Sequence, residues 1–272
     1  MFFNFFVFIF GLIVGSFLNC VIYRLGRGGV FPPEKGEATS PLQGRSFCPH
    51  CKHILSWPDL IPVFSFLILR GKCRYCGKKI SFQYPLVELA TGLVFLLILN
   101  FKFLISNQFS IFNFETIIYS LYLFIISSLL IIIFVFDLKH YIIPDKIIYP
   151  AILIVLGFRI LNLFGIWNSL ISGLVAAGSF LFIILVSRGR WMGMGDVKLA
   201  FLMGLFLGFP KILVALFLAF FIGAIIGIGL ILSKKKTLKS EVPFGPFLVI
   251  GTFIALFWGQ IIIQWYLNLF NV

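Results

Sequence analysis

The feature that most limits what this chain can fold into is a repeated pattern. Runs of roughly 20 apolar residues, each long enough to cross a bilayer, recur from one end to the other. In hydrocarbon no water reaches the backbone, so each run has to satisfy its own amides and carbonyls, and a helix is the form a single segment can take. The runs fall at 2–23, 84–104, 117–136, 147–165, 169–187, 198–209, 211–233 and 244–268. They predict an all-α polytopic membrane protein of about eight transmembrane helices. The sixth run is short, and Gly208-Phe209-Pro210-Lys211 reads as a tight turn into the seventh. With 61% hydrophobic and 11% charged residues, the composition excludes a soluble globular domain. The run at 2–23 has no basic stretch ahead of it and no small-residue cleavage site, so it reads as the first span and not as a signal peptide.

The formal net charge is +13, and its placement matters more than its size. Of the 22 Lys and Arg residues, ten lie in 24–83, two in 137–146, three in 188–198 and four in 234–239. Eight spans put all four segments on one side, and the positive-inside rule makes that side the cytoplasm, with both termini outside. Only Lys102, Arg159 and Lys211 lie elsewhere. The charge is then an orientation signal and an attraction to the anionic headgroups of the lipid bilayer. Nucleic acid is not expected as a partner, because the basic residues are spread over loops that hug a membrane.

The loop 24–83 is the one stretch with room for a small module. It holds "CPHC" (Cys48, Cys51) and "CRYC" (Cys73, Cys76). Two thiolate pairs at this spacing can close a tetrahedral site on one zinc ion. Disulfides are the rival, but they are rare in a reducing compartment, and a redox Cys-x-x-Cys would need only one pair. A loop this small builds little core, so bound metal supplies the folding energy that burial cannot. His50 and His53 lie inside and beside the first knuckle and read as solvated loop residues, while Cys20 reads as a small apolar filler in the first span.

Of nine acidic residues, Asp137, Asp145 and Asp196 lie at the cytoplasmic ends of spans, where desolvation is costly for a carboxylate. Asp137 ends the third run, the wrong end of a helix for an anion, so its presence asks for a reason. Asp145 follows Pro144 and precedes an apolar run, as an N-cap does. Asp196 stands behind Gly193 and Gly195, which free the backbone to turn sharply or let another chain approach closely. Lys139 and Lys198 lie two residues beyond an aspartate and would not face it along a helix, whereas His140, three beyond Asp137, would. Two aspartates brought from separate helices to one depth cannot both ionise, so one holds a proton and the other acts as base, activating water against a carbonyl. Depth and sidedness make Asp137 the expected partner of Asp196.

These motifs, taken in order, resemble the bifunctional type IV prepilin leader peptidases and N-methyltransferases. The resemblance is carried by "GSFLNCVIYRL", the two knuckles, "LILRGKCRYCGKKISFQYPLVELATG", "FDLKHYIIPD", "GMGDVKLA" and "VPFGPFL", and covers nearly the whole chain. Gly26 departs from it, standing where the family often has proline. The resemblance implies a membrane-embedded aspartic endopeptidase of the Gly-x-Gly-Asp type, with Asp137 and Asp196 as its catalytic pair. It implies a prepilin or pseudopilin substrate, cut on the cytoplasmic face of the bacterial inner membrane after the glycine that ends a short basic leader. The new N-terminal amine would then be methylated from S-adenosylmethionine. The polar residues of the N-terminal motifs, Asn19, Arg24 and Glu88, are the candidates for the methyl donor's site; no glycine-rich nucleotide fingerprint is present.

The implied division is 1–23 as the first transmembrane helix, 24–83 as a zinc-knuckle loop associated with methyl transfer, 84–116 as the second helix and an outer loop, and 117–272 as the membrane aspartic peptidase domain. The alternative is an ion or proton-coupled transporter with the aspartate pair in its path. Such proteins often carry internal repeats, and none is evident here.

Overall fold

A computed structural model of the chain describes residues 2–28, 46–105, 114–161, 165–233 and 242–269. The basic run at 234–239, Glu34, Glu37, Glu241 and residues 29–45 of the large loop lie outside the described residues. In chain order the elements are α1 (Phe2–Gly28), a 3-10 turn (Trp57–Leu60), α2 (Phe64–Ile68), α3 (Gln83–Ile105), α4 (Phe114–His140), α5 (Asp145–Leu161), α6 (Ile166–Ser187), α7 (Met194–Leu207), α8 (Lys211–Leu232) and α9 (Gly245–Leu269). Each of the eight predicted apolar runs is matched by one long helix.

Among the described residues six of these helices are long and apolar enough to cross a membrane; α5 and α7 are not. They have 17 and 14 residues. At 1.5 Å per residue they reach about 26 and 21 Å, short of a hydrocarbon core of about 30 Å. For α7 the reason is visible in its packing: Leu199, Ala200, Leu202, Met203, Gly204, Leu205 and Phe206 are all buried. A helix packed against protein over most of its length leaves little side chain for lipid to meet.

The chain forms two compact units, Met1–Ile132 and Ile133–Val272. In the first, α1 and α3 cross with their backbones nearly touching. A Cβ on Gly11 would lie 2.7 Å from the Gly92 Cα, and one on Gly15 would lie 2.7 Å from the Glu88 Cα. Lipid tails are as apolar as leucine, so membrane helices associate through close packing of such small residues and not through apolar area. Phe95 is buried on the same helix and stacks on Phe124 with ring centroids 4.2 Å apart.

In the second unit α7 lies among α5, α6 and α9. Its crossing with α6 depends on Gly204, where a Cβ would come within 2.5 Å of both the Gly173 Cα and the Ser172 carbonyl oxygen. Gly251 does the same for α9 against the Ala215 carbonyl of α8. Arg159 explains one of the three stray basic residues. From α5 it donates to the last carbonyls of α7, Nη2 to Phe206 at 2.6 Å and Nε to Leu205 at 3.3 Å, where a cation is favourable. The turn between α7 and α8 forms as predicted, with Gly208 at φ 69 and Asn168 of α6 clamping Phe209 through both its amide and its carbonyl.

Gly204→Val tests the crossing. The added side chain has to separate two backbones, and overpacking costs about 1–3 kcal/mol, more where backbones must move. Thermal unfolding in detergent is expected to show a clear fall in Tm for Gly204→Val. Gly178→Ala in α6, where a Cβ meets nothing within 4 Å, is expected to be silent.

Candidate active site

Asp137 lies one turn before the end of α4 and is only 4% exposed. Its own helix offers it the wrong pole, and a second helix supplies the right one. The backbone N–H of Gly245, the first residue of α9, donates to the Asp137 carboxylate. The unpaired amides and positive end of a helix favour an anion at that point. The fit is close: a Cβ on Gly245 would stand 2.5 Å from Asp137 Oδ2 and 3.1 Å from its Cγ. Glycine is therefore the residue this contact admits. Reading the sequence assigned Gly245 no role, although two signals were there: an acid at the carboxyl end of one helix, and Pro-Phe-Gly-Pro opening another.

Asp196 occupies the first turn of α7 and is half-buried. The Gly193 N–H donates to its Oδ2 at 3.2 Å, and its own N–H donates to the Gly193 carbonyl at 3.1 Å. The two glycines differ in purpose. Gly193 has φ −92, an ordinary extended value, so no left-handed turn is involved. Gly195 allows close approach, since a Cβ there would lie 3.1 Å from the Cβ of Ile143. Within this unit Asp196 is near enough to feel the charge of Asp137. Two carboxylates from separate helices are thus near enough to interact, each beneath the amides of a helix start. Like charges so placed favour a state with one proton between them, suited to acid–base work on a carbonyl.

Asp145 behaves differently from its expected role as a cap. It is the first residue of α5, and the Pro144 carbonyl accepts the N–H groups of Ile147 and Ile148 at 3.0 and 3.1 Å. Its carboxylate, 59% exposed, pairs with Lys198 Nζ at 2.6 Å. That ammonium also sits 4.9 Å above the Tyr149 ring. Asp145 stands one residue inside the helix, so the capping position falls to Pro144, and the half-buried Lys198 takes its carboxylate. His140 stacks on Phe136 with centroids 4.5 Å apart.

The four cysteines converge in the first unit. The sulfurs of Cys48, Cys51, Cys73 and Cys76 all lie within 4.8 Å of one another, and Cys48 and Cys76 are 3.9 Å apart. Zinc–sulfur bonds of about 2.3 Å in a tetrahedron require edges of about 3.8 Å, so the set fits one zinc ion. The two knuckles are built alike. Cys48 N–H donates to the His53 carbonyl and Lys52 N–H to the Cys48 carbonyl; Cys73 N–H donates to Lys78 and Gly77 N–H to Cys73. The residue after each second cysteine takes a left-handed φ, 60 at Lys52 and 69 at Gly77. Burial opposes ionisation of Cys48, yet the amides of Cys51 and His50 and two neighbouring thiols bring it down to about 7. His53 stays outside the sulfur cluster and stacks on Tyr75 at 3.7 Å. Arg74 and Tyr75 bind Asp59, at 2.8 and 3.2 Å, which fastens the second knuckle to the 3-10 turn.

Asn19 and Glu88 both lie on the α1–α3 seam. Asn19, almost fully buried, donates to the Tyr84 carbonyl at 3.0 Å and accepts from Gln83 Nε2 at 3.3 Å. Glu88 accepts the Val63 N–H at 2.7 Å and the Ser16 hydroxyl. Arg24 lies half-buried near the end of α1.

Comparison with known proteins places the chain in a family. The model for the bacterial peptidase A24 N-terminal domain matches residues 9–101, and the model for the type IV leader peptidase family matches residues 123–228. The chain is 33% identical over 286 residues to a prepilin leader peptidase/N-methyltransferase of Aeromonas hydrophila, covering 97% of this chain and 93% of the relative. It is 32% identical over 263 residues to the Bacillus subtilis (strain 168) protein of the same name, covering 97% of each. With the Legionella pneumophila protein of that name the identity is 33% over 281 residues, covering 96% of this chain and 93% of the relative. No solved structure matches the chain. An aspartate pair beneath helix-start amides, a four-cysteine module and likeness along almost the entire length lead to one assignment: the chain belongs to the type IV leader peptidase family.

Proposed function

We propose that this multi-pass membrane protein is a bifunctional enzyme that cleaves the leader from type IV prepilins or pseudopilins and N-methylates the residue exposed. The observation that carries the peptidase half is the pairing of Asp137 with Asp196, each under a helix-start amide. One carboxylate takes a proton from water as that water attacks the peptide carbonyl. Its protonated partner donates to the carbonyl oxygen, and the tetrahedral species then collapses with transfer of a proton to the leaving amine. The scissile bond lies just outside the pilin's own apolar helix. An active site at a membrane interface, on the cytoplasmic side of the inner membrane, meets it there.

Cys48, Cys51, Cys73 and Cys76 would hold a zinc ion that folds the module and takes no part in bond making. S-adenosylmethionine, when bound, supplies an electrophilic methyl group. Asn19, Arg24 and Glu88 serve its site, and because Asn19 and Glu88 already hold Tyr84, Gln83, Val63 and Ser16, they shape that site more than they grip the donor. The amine to be methylated has an ordinary pKa of about 7.7–8.0, so a modest base suffices.

The test uses the purified protein in detergent with a prepilin, following leader loss and methyl gain by mass. Wild type is expected to do both. Asp145→Asn is expected to cleave within about threefold of wild type, because an exposed ion pair contributes about 1 kcal/mol or less. Failure of the wild type to cut any prepilin would overturn the reading, and failure of Asp145→Asn alone would show that the wrong acid has been paired with Asp196.

A further inference from the structure

The stretch between the two knuckles ends against the side of a membrane helix. The Val63 N–H is held at 2.7 Å by Glu88, five residues into α3. At 1.5 Å per residue this is about 7 Å along that helix from its start. Residues 57–68 therefore lie beside the first turns of α3, not beyond its end, and α3 over Gln83–Phe101 is apolar enough to span a bilayer. Phe66 packs edge-on against Phe82 at 5.2 Å, fixing the segment on the same side.

What this segment turns outward is apolar. Trp57 is 78% exposed and Ile68 74%, and Phe64, Leu67, Phe82 and Leu86 are exposed with them. A patch of large side chains this continuous needs a cover. Immediately beyond it come four exposed cations, Arg70, Lys72, Lys78 and Lys79. Apolar and aromatic side chains next to a basic rim, at the depth where a spanning helix begins, match the layering of a bilayer surface.

We propose that residues 57–68 form a membrane foot. Its apolar side chains enter the boundary between headgroups and acyl chains, and Arg70, Lys72, Lys78 and Lys79 rest on the phosphates of anionic lipids. The cysteine module is thereby seated on the bilayer and tied to α3 through Glu88. This inference rests on the spanning of α3 and not on the enzymatic reading.

The experiment is depth-dependent quenching of Trp57. The chain has five tryptophans, and the four others become Phe, leaving Trp57 as the only emitter. The protein is reconstituted into vesicles with or without anionic phospholipid, and helical content by circular dichroism reports that it is folded. Lipids carrying a nitroxide near the headgroup are expected to quench at least about half the emission, while acrylamide in the water phase has little access. Replacing anionic by zwitterionic lipid is expected to reduce the lipid quenching. Strong acrylamide quenching with no lipid quenching would overturn the foot. Protection that appears only on adding prepilin would give the surface to the substrate, also overturning it. If the tryptophan replacements lower the helical content, Phe64→Trp with Trp57→Phe, the native tryptophans elsewhere being kept, gives the same comparison as a difference from Trp57→Phe alone.

Discussion

Asp137→Asn and Asp196→Asn are each expected to lower prepilin cleavage by about three orders of magnitude or more, the range in which a positioned acid or base acts. Each change keeps the side chain's size and removes the ability to hold or release a proton. The shared-proton arrangement needs both acids, so losing either one should cost about as much as losing both. Gly245→Ala is expected to approach the same loss from a distance. The added methyl would stand 2.5 Å from Asp137 Oδ2, too close for contact, so the carboxylate must shift from the amide that holds it. Methylation of a pilin already cut is expected to survive in all three variants, because Asn19, Glu88 and the cysteines belong to the other compact unit. Cleavage by Asp137→Asn at more than about a tenth of the wild-type rate would remove it from the role of acid or base.

The second large effect concerns the metal. Stripping it with a chelator, or replacing Cys73 with Ser, is expected to unfold residues 46–82, seen as rapid protease cleavage within that stretch while helical content is retained. Between the knuckles the 3-10 turn and α2 contain no fully buried residue, so apolar burial contributes little there. A structural zinc contributes about 10–16 kcal/mol, comparable with the whole stability of a typical domain. Methyl transfer is expected to fall at least about tenfold through loss of the Val63–Glu88 contact and of the seam it braces. A metal-free protein with unchanged protease resistance would show that the hydrogen bonds of the knuckles and Asp59 hold the module alone.

Much of this molecule was legible in its sequence. Helix formation in lipid is a local matter, decided by whether a segment of sufficient length is apolar, and so the eight runs became eight helices. The four-cysteine cluster was legible because two Cys-x-x-Cys pairs need only a short loop to bring them together. The aspartate pair was legible in part, since Asp137 and Asp196 end up at one depth when the spans are counted.

The tertiary structure decided the rest, and each case depends on which helix meets which. Hydropathy does not reveal that most of α7 is packed against protein. It does not reveal that Asp145 would meet Lys198 and cap nothing. The placement of Asp137 made no electrostatic sense within its own helix and became reasonable only when the start of α9 arrived beside it, through a glycine with room for nothing larger. Apolar periodicity records that a face is hidden but not what hides it. Helix partners in a membrane are chosen by close backbone crossings such as Gly204 with Gly173 and Gly251 with Ala215, where the residues that matter have no side chain to leave a pattern.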